Sequence, residues 1–141
     1  MKKTNNKGFS LVELIIVIAI MAILIGVLAP QYIKYVEKSR ASADKDLLDS
    51  VYKACATAAS DPEVNDAPAA GTLTNSNFVD STFGSNTQFL SAVKGTLGVT
   101  SLADVNGKLK SKSAKNHSVQ VTVDDNGNYF VAAGSIKVPE Q

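Results

Sequence analysis

The sequence predicts an α+β protein: a long N-terminal helix, apolar in its first half and amphipathic in its second, packed against a small C-terminal antiparallel sheet. Three observations carry this expectation. Leu14 to Ala29 holds no charge and no strongly polar side chain. Leu47, Leu48, Val51, Tyr52 and Cys55 recur at the spacing of one helix face. Val119, Val121 and Val123 alternate with polar residues and precede an Asn126-Gly127 turn.

The apolar run comes first. Phe9 to Ala29 spans 21 residues, or roughly 31 Å as a helix, which matches a bilayer hydrocarbon core of about 30 Å. A core helix of so small a protein is rarely apolar on every face. A removed secretory signal would end in an Ala-x-Ala-like site, and Val27-Leu28-Ala29 is a poor match. A retained membrane segment is the preferred reading. Lysines at positions 2, 3 and 7 stand before it, and Lys34, Lys38, Arg40 and Lys45 after it. A rule that counts bases therefore does not fix its orientation.

Glu13 is the anomaly of this run. In the first turn of a helix starting near Phe9, its charge complements the positive helix end. Alternatively it awaits a cation, and none lies within the span. Gly26 and Pro30 are an i, i+4 pair; proline cannot donate to the Gly26 carbonyl and crowds it. Residues 26–30 are the candidate hinge.

The amphipathic half is expected to run from residue 31 to about 60, where Ser60-Asp61-Pro62 stops it. Cys55 lies on its apolar stripe and reads as a buried core thiol. As the single cysteine it forms no intramolecular disulfide. Residues 61–86, rich in small and polar types, read as a long exposed loop anchored by Leu73, Phe78, Val79 and Phe83. Phe89, Leu90, Val93 and Leu97 predict a short helix over residues 87–97. A strand is expected over Lys108 to Ser113, and a hairpin joins Val119–Val123 to Tyr129–Ala133.

Composition excludes several classes. Net charge is +1; without residues 1–8, which hold three of the 14 bases and none of the 13 acids, it becomes −2. That balance disfavours capture of nucleic acid by the whole domain. Lys108, Lys110, Lys112 and Lys115 could form a patch for DNA or acidic polymers, but an edge strand protected by charge is preferred, and no interleaved aromatics support single-strand binding. Asp124, Asn126 and Asn128 resemble the start of a calcium loop but lack its sixth-position glycine and later glutamate, so a plain turn is preferred and no metal or other cofactor is expected. His117 has no nearby acid or nucleophile, no phosphate-binding glycine loop appears, and no catalytic residue is assigned.

Lys7-Gly8-Phe9-Ser10-Leu11-Val12-Glu13-Leu14, followed by the long apolar run, resembles the N-terminus of type IV prepilins. Ser10 stands where that family usually has threonine. The resemblance covers residues 2–60 well and the rest in layout. It implies a leader, residues 1–8, removed between Gly8 and Phe9 by a membrane peptidase, and N-methylation of Phe9. It implies that Glu13 pairs with the new Phe9 amine of a neighbouring subunit. Residues 9–30 then serve as membrane anchor and filament core, 31–60 as the amphipathic half-helix, and 61–141 as a pilin head with its exposed loop 61–86. It further implies that helix is lost near Gly26 and Pro30 on packing. Partners would be other copies of the chain, the peptidase, an assembly platform with its ATPase, and the membrane before assembly, with nucleic acid not favoured. The location would be the cytoplasmic membrane and then an extracellular pilus used for adhesion or motility. Many relatives close a C-terminal loop with two cysteines; the lone Cys55 resembles pilins of Gram-positive bacteria. A pseudopilin of a secretion or competence system and a monomeric anchored binding module are the alternatives.

Overall fold

A computed structural model of the chain describes residues 8, 10–115 and 117–139. The chain divides between Val36 and Glu37 into two compact units. One helix, α1 (Leu11–Ser60), contributes to both. It ends where Ser60-Asp61-Pro62 predicts, and it continues through Gly26 and Pro30.

Unit 1 turns its apolar side chains outward. Every large apolar side chain from Leu11 to Ile33 is exposed, down to Val17 at 47%. Unit 2 does the reverse. Leu48, Val51, Ala54, Cys55 and Ala58 of α1 are buried, which is the predicted stripe with Leu47 and Tyr52 half-buried at its edges.

The stripe is part of one core with a four-stranded antiparallel sheet. Strands β1 (Leu73–Asn77), β2 (Gln120–Val123), β3 (Tyr129–Ala133) and β4 (Ile136–Val138) lie in chain order. Strands β2 and β3 form the predicted hairpin, with Val123 opposite Tyr129 and Val121 opposite Val131. Their period-2 pattern sends Val121, Val123, Tyr129, Val131 and Ala133 inward. Asp124 accepts hydrogen bonds from the Asn126 and Asn128 amides at 2.9 and 2.7 Å. Its carboxylate is thus occupied by the turn itself, as the plain-turn reading expects. Helix α2 (Thr87–Leu97) also forms as predicted. Gly98, left-handed at φ 69°, stops it and donates its N–H to the Lys94 carbonyl. Rings connect these elements: Phe83 lies 5.5 Å from Phe89, and Phe89 stacks on Tyr129 at 6.0 Å between centroids.

Two expectations are corrected. Residues 61–86 are not a continuous loop: they contain β1 and a 3₁₀ turn, Asp80–Phe83. Strand β1 has little apolar alternation because it gains its place from backbone pairing with β2. Asn75 sits in the left-handed region at φ 45°, within the irregular register between Leu73 and Ser76. Second, Lys108 to Ser113 is not a strand. A 3₁₀ turn (Leu102–Lys108) leads into a short helix, α3 (Lys112–Lys115). A strand-like alternation is present in part: Leu109 and Ser111 are buried while Lys108, Lys110 and Lys112 are exposed, but Ser113 is exposed as well. However, the backbone donors of this segment go to carboxylates on α1 instead of to a neighbouring strand.

Candidate functional site

The processing and assembly motif lies at the start of unit 1. Gly8 is exposed and outside regular structure, and a side chain there would meet nothing within 4 Å. The leader residues 1–7 and Phe9 lie outside the described residues. From Ser10 onward the geometry is defined. The Ser10 carbonyl accepts from Leu14 N at 3.1 Å, which makes Ser10 the cap of α1. The Ser10 hydroxyl accepts from Glu13 N at 3.2 Å, and Ser10 N donates to Glu13 Oε2 at 3.4 Å. This reciprocal pair is a capping box. It gives Glu13 a local partner and agrees with the first-turn reading of its charge. Serine serves in this geometry as threonine would.

Beyond the cap, the motif continues as an apolar surface. A run of exposed Leu, Ile, Val and Met side chains from Leu11 to Leu28 far exceeds the scattered apolar exposure of soluble monomers. Its length and composition suffice to cross a bilayer. Gly26 is free of packing constraint, because a side chain there would meet nothing within 4 Å. Pro30 lies inside the helix.

Unit 2 contains a set of carboxylate clamps that sequence reasoning missed. Asp44, fully buried on α1, accepts from Lys110 N at 2.8 Å and Ser111 N at 2.7 Å. Burial pushes its carboxyl up, but Ser111, the two backbone amides and the Lys110 charge together hold it below its ordinary value. The buried Ser111 hydroxyl makes no hydrogen bond of ordinary geometry among the described residues. One turn-pair earlier, Glu37 accepts from Lys112 N at 2.6 Å. Asp66 accepts from Gln88 N and Phe89 N at the start of α2, at 2.9 and 2.8 Å, and the Asn86 amide donates to the Asp66 carbonyl. Asp80 accepts from Leu102 N at 2.8 Å and from Lys94 Nζ at 3.0 Å. Its carboxyl is held low, chiefly by the Leu102 amide. One sequence signal was present for Asp44: it falls on the same helical stripe as Leu48, Val51 and Cys55, where an acid must find donors.

Cys55 is buried, and burial pushes its thiol up to about 12, which suits a core residue and not a nucleophile. His117 is exposed. Among the described residues no group of three or more His, Cys, Asp or Glu could hold a metal ion.

These elements define a class of protein: a small α+β unit on a helix whose preceding half is apolar and exposed. Comparison with known proteins narrows it. The family described as "Prokaryotic N-terminal methylation motif" matches residues 3–29. The chain is 34% identical over 102 residues to a type IV major fimbrial protein of Dichelobacter nodosus, covering 70% of this chain and 62% of that protein. It is 43% identical over 50 residues to a type IV major pilin protein of Myxococcus xanthus, covering 36% of this chain and 23% of that one. The matched region thus spans less than two thirds of either relative's own length. No solved structure gives a significant match. The motif and the two likenesses support a place with type IV pilins, and both relatives are structural pilins, not enzymes.

Proposed function

We propose that the chain is a structural subunit of a type IV pilus, made as a membrane-anchored precursor. The observation that carries this reading is the exposed apolar half of α1, with Glu13 in its first turn and the Gly8-Phe9 junction just before it. An all-round apolar helix is stable in lipid or among helices like itself, so it suits transfer from a bilayer to a filament core. In this reading a prepilin peptidase cuts between Gly8 and Phe9, Phe9 is N-methylated, and copies polymerise through their N-terminal helices. The precursor is a single-pass protein of the cytoplasmic membrane; the assembled form is extracellular. An assembly platform and its ATPase drive the transfer.

Glu13 has two successive roles here. Its capping box occupies the carboxylate within the chain. Cleavage then creates an amine at Phe9, and that amine in a neighbouring copy becomes the stronger partner. A carboxylate and an ammonium about 4 Å apart attract by about 4 kcal/mol at an effective dielectric near 20, less the desolvation cost. A misplaced subunit leaves both charges unpaired, so the pair selects register. Gly26 and Pro30 supply a weak point of helix for the same transition. A likeness to pilins of Gram-positive bacteria rests on the single cysteine alone; both relatives above come from Gram-negative organisms.

N-terminal mass spectrometry of sheared surface material tests the proposal. Subunits that begin at Phe9 are expected; retention of Met1–Gly8 in cells with an active peptidase would refute it. Glu13→Ala is expected to leave membrane insertion intact and to lower filament yield at least tenfold, read by shearing and immunoblot. The same N-terminus would serve a pseudopilin, and filament length on the cell surface separates the two.

A further inference from the structure

The charges of unit 2 are segregated. Residues 37–45 and 108–115 hold seven bases and two acids, whereas residues 46–107 and 117–141 hold three bases and ten acids. The fold brings the two basic segments side by side through the bonds from Lys110 N and Ser111 N to Asp44 and from Lys112 N to Glu37. Both acids at this end therefore face backbone amides. Lys38, Arg40, Lys108, Lys110 and Lys112 are exposed. Burial of Leu109 and Ser111 fixes the alternation that turns Lys110 and Lys112 outward.

We propose that this basic end of unit 2 docks on the anionic phospholipid headgroups of the membrane that anchors the subunit before assembly. The inference rests on the anchored precursor proposed above. Lys38 follows Ala29 by nine residues, so a short tether links the basic end to whatever bilayer the apolar run occupies. Basic residues near an anionic leaflet are attracted within about one Debye length, roughly 8–10 Å. Headgroups that contact residues 37–45 and 108–115 meet seven bases and two acids, both of the acids already bonded to backbone amides. A long polyanion such as duplex DNA would also meet the acidic remainder, and residues 37–141 as a whole hold 10 bases against 12 acids. No aromatic side chain is interleaved among Lys108, Lys110 and Lys112 to stack a base. The headgroup surface is therefore the better complement. Docking would hold the subunit at the membrane surface until extraction separates the basic end from lipid.

The test uses the full chain reconstituted in vesicles of phosphatidylcholine alone or mixed with phosphatidylglycerol. A membrane-impermeant amine reagent labels lysines, and mass spectrometry reads each site against exposed Lys53 and Lys137. Labelling of Lys38, Lys108, Lys110 and Lys112 is expected to be about fivefold slower on the anionic vesicles, with the difference lost at high salt. The double variant Lys110→Gln, Lys112→Gln keeps the backbone bonds to Asp44 and Glu37, and it should also weaken protection of Lys38. A chain that floats with both vesicles but labels equally on them would overturn the docking and leave the anchor standing. Flotation with neither would overturn both. Protection by duplex DNA at physiological salt, with none on anionic vesicles, would reassign this end to nucleic acid.

Discussion

The two halves of α1 solve opposite problems. In unit 1 the apolar side chains face outward, from Leu11 at 73% exposed to Val17 at 47%. In unit 2 the same helix buries Leu48, Val51 and Cys55 completely. The polar groups differ as sharply. The acid of unit 1, Glu13, bonds to a residue three positions away. Four acids of unit 2 bond over 22 to 75 residues of sequence. The first half carries little information about its own tertiary structure and needs an apolar environment supplied from outside. The second is specified internally, by a core and by carboxylates placed on backbone N–H groups. A chain with one cysteine cannot cross-link its head, and these clamps do part of that positioning.

The two halves should differ most in their response to the loss of one large apolar side chain. Phe83 is fully buried and touches the rings of Phe78 and Phe89. Phe83→Ala should destabilise unit 2 by about 3–5 kcal/mol. Ile23→Ala, in the exposed half, should change unit 2 by less than about 0.5 kcal/mol. Urea unfolding of the full chain in micelles, followed by hydrogen exchange of the Val121 and Val131 amides, reads both. Equal losses from the two variants would mean that the halves are not separate in stability.

An intermediate effect is expected at Asp44. Asp44→Asn leaves one of the two amides, Lys110 N or Ser111 N, without its acceptor and should cost about 2 kcal/mol at neutral pH. The sign with pH follows from the lowered carboxyl of the folded chain. The Asp44 contribution is complete above the unfolded value of about 3.9 and is lost as pH falls through the lower folded value. The gap between wild type and Asp44→Asn should therefore narrow below about pH 4. A gap that stays constant from neutral pH into the acid range would show that the carboxylate charge is not what the Lys110 and Ser111 amides use.

These variants also mark what the sequence could and could not convey. The end of α1 at Ser60, helix α2 and the β2–β3 hairpin were legible because each has a local signal: a proline stop, a 3.6 period, an Asn-Gly turn. The Gly8, Glu13, Gly26 and Pro30 pattern stands out in the sequence because it borders or interrupts an otherwise featureless apolar run, and its roles are those proposed above. Strand β1 was not, since Thr74, Asn75 and Ser76 carry no apolar alternation and its pairing partner lies over 40 residues on. The Lys108–Ser113 segment misled for a related reason. Its inside–outside alternation holds at Leu109 and Ser111 but not at Ser113, which is exposed, and the acceptor of the Lys110 N–H, Asp44, is 66 residues away and on a helix. Local pattern reports which side chains go inward; it does not report which backbone groups they bring together.

The smallest expected effect concerns a polar group that unit 2 does not use. The Tyr129 ring packs on Phe89, yet its buried hydroxyl has no hydrogen-bond partner among the described residues. Burial, with a contribution from Cys55, pushes this phenol up to about 12, so it stays neutral from pH 4 to pH 8. Tyr129→Phe keeps the ring and removes an unpaired buried group. It should leave stability unchanged or raise it by up to about 1 kcal/mol, and it should do so equally at pH 4 and pH 8, unlike Asp44→Asn. A loss above about 1 kcal/mol would mean that the hydroxyl is bonded in solution. The core of unit 2 would then depend on a polar contact inside the sheet as well as on the carboxylates at its helix ends.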